Sequence, residues 1–233
     1  MNHQHQLSLA IHLNHQATLA DFCWGENQLL EQQLDLSLNH NGERFLYLWG
    51  DAGCGKSHLL QGACQMMSVN NCSAAYIPLA LLKEWGPESI EGIEEKALIA
   101  IDDLDSISND KAWEEALFHL FNRVRDNGTT ILLIAGKKAP SATSIQLADL
   151  RSRLVWGLVF QLTELSDDLK IIALQQHAHK RGFKLSHGVA FFLINRCARS
   201  MHALYQILDR LDEASLVAQR KITIPFIKSI LGI

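Results

Sequence analysis

The sequence predicts an α/β fold, with a central parallel five-stranded sheet followed by a small α-helical domain. Three observations carry this expectation. Five short apolar segments alternate with helix-length ones, a glycine-rich phosphate-loop pattern directly follows the first of them, and beyond Thr163 only helical patterns remain. The chain therefore divides into an N-terminal tail (1–16), an α/β domain (17–162) and a helical domain (163–233).

The strands are expected at Phe45–Trp49, Ala74–Pro78, 97–101, 130–135 and 158–162. Each is a continuous apolar run, as expected of a parallel strand covered on both faces. A helical run, 58–67, follows the phosphate loop. The later helices are expected at Asp167–Lys180, His187–Arg196, 201–219 and Ile224–Leu231. Ser166 and Ser186 stand where N-caps belong, and Gly182 where a helix should stop.

Composition fits this class. The 233 residues are 48% hydrophobic and 20% charged, enough to bury a core without disulfides or a structural metal. The net charge of -4 argues against a protein that coats nucleic acid. The last domain is the exception: residues 163–233 hold 10 of the 21 Lys and Arg but only 6 of the 25 Asp and Glu. The five cysteines contain no C-x-x-C pair, so neither a disulfide framework nor a zinc site is encoded. His177 and His179 lie two apart on a predicted helix and face different ways, which speaks against a histidine metal site. No segment reads as a signal peptide or a membrane span, and a cytoplasmic protein is expected.

The most specific pattern is Gly50-Asp51-Ala52-Gly53-Cys54-Gly55-Lys56-Ser57, which satisfies G-x-x-x-x-G-K-S between a strand and a helix. Backbone N–H groups and the start of the following helix, which includes His58, supply positive potential to phosphate oxygens. Lys56 reaches the β and γ phosphates, and Ser57 ligates magnesium. Cys54 takes a free position of the loop and reads as a small, tolerant residue. A strand ending in Asp102-Asp103 supplies the matching carboxylates: Asp102 for Mg2+ and Asp103 to orient an attacking water. A further strand, Ala74–Pro78, intervenes between the two motifs, as in the P-loop branch where an extra strand separates them.

With these motifs the chain resembles AAA+ ATPases and, within them, the family of the bacterial replication initiator DnaA. Asp102-Asp103, the run Glu115-Ala116-Leu117-Phe118-His119-Leu120-Phe121-Asn122 and Leu150-Arg151-Ser152-Arg153-Leu154-Val155-Trp156-Gly157-Leu158 carry the resemblance, which covers about residues 17–231. Asp21-Phe22, Gly25 and Asn27 resemble the family's adenine-side entrance. The resemblance implies bound ADP or ATP with Mg2+, an AAA+ core and a helical lid. It also implies that Arg153 is an arginine finger acting in trans on a neighbour's γ-phosphate, with Arg151 as a second candidate. No helix-turn-helix module follows and no long domain precedes, so the expected member is a regulator reduced to the ATPase module. In the tail, Gln6-Leu7-Ser8-Leu9-Ala10 resembles the Q-L-x-L peptide of proteins that bind the sliding clamp, the beta subunit of DNA polymerase III.

Departures from the family pattern point to weak intrinsic hydrolysis. The first sensor position falls near Gly136, which has no side chain, unless the register slips and Lys137 fills the role. Where the lid usually presents an arginine stands His202, with Arg199 nearby as a substitute. The function implied is regulation of replication initiation: with the DNA-loaded clamp, the chain stimulates ATP hydrolysis by DnaA. The partners are then DnaA, the clamp and a second copy in self-association, with DNA contact weak or indirect and no membrane. The competing expectation is an autonomous AAA+ ATPase such as a helicase loader.

Overall fold

The computed structural model describes residues 17–198 and 200–233. Five strands, β1 (Phe45–Trp49), β2 (Ala74–Pro78), β3 (Leu98–Asp102), β4 (Ile131–Gly136) and β5 (Leu158–Gln161), form one sheet of order β2-β3-β4-β1-β5 with every pair parallel. The third and fourth strands lie one residue later than the sequence predicts, and the fifth stops one residue earlier. In space β4, not β2, separates the phosphate-loop strand from the strand carrying Asp102, while β2 forms the far edge.

Alternate residues of these strands feed two cores. Leu46, Leu48, Leu98, Ala100, Leu133 and Ala135 meet helices α1 (Gln28–Leu38) and α2 (Lys56–Val69). On the opposite face Tyr47, Ile99, Ile101, Leu132 and Ile134 meet α3 (Leu79–Leu82), α4 (Lys111–Asn127) and α5 (Ala148–Leu154). Both faces are therefore closed, and the strand ends remain the place where ligands can reach the sheet.

One buried carboxylate sets where α5 starts. Glu114 of α4 is 1% exposed and accepts from the backbone N–H groups of Asn109, Gln146 and Leu147, at 2.7–3.1 Å. Those donors would otherwise be unsatisfied beneath α5, so the acid is structural rather than a candidate for chemistry.

The last domain contains α6 (Asp167–Lys180), α7 (His187–Arg196), α8 (Met201–Ala218) and α9 (Ile224–Leu231) around their own apolar cluster. Ser166 and Ser186 cap α6 and α7 as predicted, and Ser200 and Thr223 cap α8 and α9 by the same side-chain bond. Two links tie this domain to the sheet domain. Lys180 pairs with Asp21, and the Asn27 amide both accepts from Thr163 N and donates to Thr163 O at the start of the connection. No helix of the described residues is long and apolar enough to cross a membrane.

Candidate functional site

The phosphate loop runs from the end of β1 into α2. Gly55 has φ +102, and a Cβ there would lie 2.6 Å from the Phe22 ring, so glycine is needed both for the turn and for the close approach of that aromatic. Lys56 opens α2, and its Nζ donates to the carbonyls of Gly50 (2.7 Å) and Asp51 (2.8 Å). The ammonium is thereby held over the loop beside the N-terminus of a 14-residue helix. Cys54, at a variable position of the motif, is buried in the sheet core, with its Sγ 3.5 Å from Lys56 Nζ. It packs the underside of the loop.

At the end of β3, Asp102 is 2% exposed. Its carboxylate accepts from Tyr76 Oη at 2.7 Å and from Asp103 N at 2.9 Å. Burial, the Asp102 charge and this hydrogen bond push the Tyr76 hydroxyl far above its ordinary pKa, so it stays a donor. Gln61 of α2 hydrogen-bonds the same tyrosine and links the carboxylate to the phosphate-loop helix. Asp103 adopts a left-handed conformation, φ +57, which turns it away from the strand. Burial and the neighbouring Asp102 raise its pKa, against the opposing fields of Lys137 and Lys56. Those fields show that Asp103, Lys137 and Lys56 converge on one end of the sheet.

At Gly136, the last residue of β4 and the expected sensor position, the structure leaves no room for a side chain. A Cβ there would meet Tyr47 Oη at 2.3 Å and Asp105 Oδ2 at 3.4 Å. The tyrosine hydroxyl donates to Lys138 O at 2.9 Å, and Asp105 accepts from Lys137 N at 2.6 Å. A hydroxyl anchored from β1 therefore occupies the space a polar sensor would need, and the segment after β4 is fixed by its backbone.

Between the two domains lies a cleft of about 790 Å3. Phe22, Ala52, Gly53, Cys54, Gly55, Ser57, His58 and His202 of the expected residues line it. Gly50, Asp51 and Lys56 complete the loop behind them, and Asp102 and Asp103 lie at the end of β3, one strand beyond β4. Phe22 packs edge-on against Trp24 and His58, with centroids 4.7 and 5.6 Å away. His58 bonds the Thr18 carbonyl at 2.8 Å, and burial lowers its pKa, so it sits in the wall as a neutral ring. His202, in the first turn of α8, lies 2.9 Å from Gln206 Nε2.

Apart from His202, sequence reading missed the lid wall of this cleft. Lys170 is 4% exposed and donates to Glu164 at 2.6 Å. His177 stacks on Tyr205, 4.3 Å between centroids, and lies 3.4 Å from Asp209. Burial, together with the charges of Cys23 and Asp21, pushes the Tyr205 hydroxyl up to about 12. A signal was present: His202, Tyr205, Gln206 and Asp209 recur at one-face helical spacing, as do Lys170 and His177.

These residues fit a magnesium nucleotide. The volume is in the range of small-molecule sites, the walls combine aromatic and apolar groups with polar ones from the lid, and the phosphate loop and helix start lie at one end. The Ser57 hydroxyl and the buried Asp102 carboxylate are the groups that would hold Mg2+.

The two candidate arginines lie elsewhere. Neither Arg151 nor Arg153, both on α5, lines the cleft. Arg151 is exposed and bonds the Ile145 carbonyl at 3.3 Å. Arg153 is half-buried beside Trp156 and Phe118. The expected clamp peptide residues Gln6, Leu7, Ser8 and Leu9, and Arg199 in the lid, lie outside the described residues.

Comparison with known proteins agrees with this architecture. The sequence profile of the Hda lid domain matches residues 167–231, and that of the bacterial DnaA ATPase domain matches residues 87–161. A functionally uncharacterised protein of Haemophilus influenzae is 45% identical over 98% of this chain and 99% of its own length. Among solved structures, domain III of the Thermotoga maritima replication initiation protein DnaA superposes with a TM-score of 0.78 at 20% identity, covering 95% of this chain and 98% of that one. AMPPCP-bound DnaA from Aquifex aeolicus gives 0.70 at 20% identity, covering 84% of this chain and 65% of that one. Those two likenesses are likenesses of fold.

Proposed function

This chain belongs to the DnaA-related family of AAA+ proteins, with an Hda-type lid, and from that premise we propose that it is a regulator that switches DnaA off by promoting hydrolysis of DnaA's ATP. The family membership makes it a nucleotide-binding protein related to replication initiation. The finer reading rests on one observation: Arg153 stands on α5, away from the cleft of its own chain, with no ion pair or hydrogen bond among the described residues.

The mechanism divides between two subunits. In its own cleft the chain holds ADP or ATP through the loop backbone and Lys56, with Ser57 and Asp102 toward Mg2+ and His202 facing the phosphates from the lid. Asp103 is the water-orienting acid of that cleft. With Gly136 in place of a polar sensor, turnover there is slow. Arg153, with Arg151 beside it, is offered to the ATP bound by DnaA. A guanidinium supplied in trans stabilises charge developing on the transferring phosphoryl group and is worth about a thousandfold or more in rate.

Residues 6–10 tether the chain to the sliding clamp on DNA. In an extended peptide Leu7 and Leu9 face one way toward an apolar pocket, and Gln6 gives polar anchoring. The chain then works in the cytoplasm, held at the nucleoid through the clamp, and self-association is a resting form of it. Deleting residues 6–10 is expected to abolish capture by DNA-loaded clamp and clamp-dependent stimulation of DnaA, while nucleotide affinity stays unchanged. Undiminished stimulation by the truncated chain would contradict the tether. Fast turnover by the chain alone, with binding to a replicative helicase and not to the clamp, would instead identify a loader.

A further inference from the structure

The head group of Arg153 is held by aromatic faces alone. Its guanidinium carbon lies 3.7 Å from the centre of the Trp156 ring and 5.7 Å from that of Phe118. Its Nε is buried and has no hydrogen-bond partner, and no carboxylate pairs with it among the described residues. Other arginines of the molecule differ. Arg123 pairs with Glu94, Arg125 with Asp126, and Arg181 with both Asp209 and Asp212. Arg44, Arg196, Arg210 and Arg220 also have no ion pair among the described residues, but none of them has a guanidinium on an aromatic face; Arg125, which lies 5.7 Å from the same Trp156 ring, has its carboxylate partner as well.

The distinction is chemical. A carboxylate partner takes up the in-plane N–H donors and cancels the charge, whereas an aromatic ring engages the flat face and leaves the donors and the charge available. Trp156 is fixed for this role. Its backbone N–H donates to Arg153 O at 3.0 Å in the turn that ends α5. The next residue, Gly157, passes so close to β1 that a Cβ there would collide with the Phe45 carbonyl, so the turn carrying the indole is seated on the sheet. The outer part of the indole remains in solvent, 45% exposed, although it is among the largest apolar groups of the chain.

We propose that Trp156 is the positioning residue for Arg153: its indole holds the guanidinium at the α5 edge with the terminal N–H donors uncommitted, for the phosphoryl group of a nucleotide bound by a neighbouring subunit. This rests on the reading of Arg153 as a residue acting in trans. It adds that the rate enhancement depends on a face-on contact within this chain, made before the partner arrives.

The test compares full-length wild type, Trp156→Ala, Trp156→Phe and Arg153→Ala as stimulators of hydrolysis by ATP-loaded DnaA on clamp-loaded DNA, with the concentration of the chain varied. Trp156→Ala is expected to lower the maximal stimulated rate about tenfold, with the half-saturating concentration moved by less than about twofold. Trp156→Phe, which keeps a flat aromatic face, is expected to restore most of that rate. Thermal melting and ADP affinity of each variant report folding, and both should stay at the wild-type level because the indole is partly in solvent and away from the cleft. A higher half-saturating concentration with an intact maximal rate would make Trp156 a docking contact and overturn the proposal. So would equal losses in the Ala and Phe variants. Failure of Arg153→Ala to affect stimulation would be a different result, overturning the reading of Arg153 and this inference with it.

Discussion

In the cleft, Lys170 is held to Glu164 at 2.6 Å and Lys56 to two loop carbonyls, whereas at the α5 edge Arg153 has neither an ion pair nor a hydrogen bond among the described residues and rests on Trp156. The two regions also differ in their supports. The cleft is walled by both domains, and the edge is set from below by the buried Glu114 carboxylate. A cation bonded within its own chain builds a site for a ligand of that chain. On the proposed reading, the guanidinium on Trp156 serves a group that comes from outside.

The sharpest way to break this contrast is at the edge itself. Arg153→Ala is expected to cost about a thousandfold in stimulated hydrolysis by DnaA, measured by phosphate release, and to leave ADP affinity of the chain unchanged. Glu114→Ala should come next. It strands the N–H groups of Asn109, Gln146 and Leu147, and a stability loss of about 3 kcal/mol or more is expected by denaturant melting. Stimulation should fall with it because α5 loses its anchor.

The cleft side gives smaller effects. Gly136→Asn places a side chain against Tyr47 Oη and is expected to cost about 1–3 kcal/mol in melting experiments without raising turnover. His58 supplies a pH dependence. Its pKa is lowered in the folded chain, so the unfolded chain takes up this proton first as the pH drops below the ordinary 6.5. Its contribution to stability is complete above that value and declines below it, and His58→Gln should flatten the melting profile below the ordinary 6.5. The smallest effect is expected for Asp21→Asn at the link between the domains. Burial would raise the Asp21 pKa, but hydrogen bonds from Lys180 and Thr18 hold it below the ordinary 3.8. The contribution of this half-exposed pair disappears only in acid, and its loss should cost under about 1 kcal/mol.

Those effects follow the line between what could and could not be read from sequence. The parallel sheet was legible because each strand is an apolar run, and the loop because Gly, Lys and Ser must stand at fixed spacing to wrap phosphate. The position of β4 between β1 and β3 was not, since strand order is a matter of which edges pair and no residue records it. Gly136 was read as a missing side chain, but the reason lies 89 positions earlier, in Tyr47 on the neighbouring strand. The lid wall was legible in principle, through the spacing of His202, Tyr205, Gln206 and Asp209, yet those residues also suit a solvated helix face. Nothing in the sequence distinguishes Glu114 from Glu115 beside it in α4. Only the fold shows it accepting three backbone N–H groups.

The claim that nucleotide is held in one place and hydrolysed in another can be tested by labelling. DnaA is loaded with γ-labelled ATP, the chain with ATP carrying a different γ-label, and both releases are followed on clamp-loaded DNA with wild-type chain and with Arg153→Ala. The account predicts fast release of the DnaA label with wild type only, and slow release of the chain's own label in both mixtures. Fast release of the chain's own label, with the DnaA label unaffected by Arg153, would contradict it.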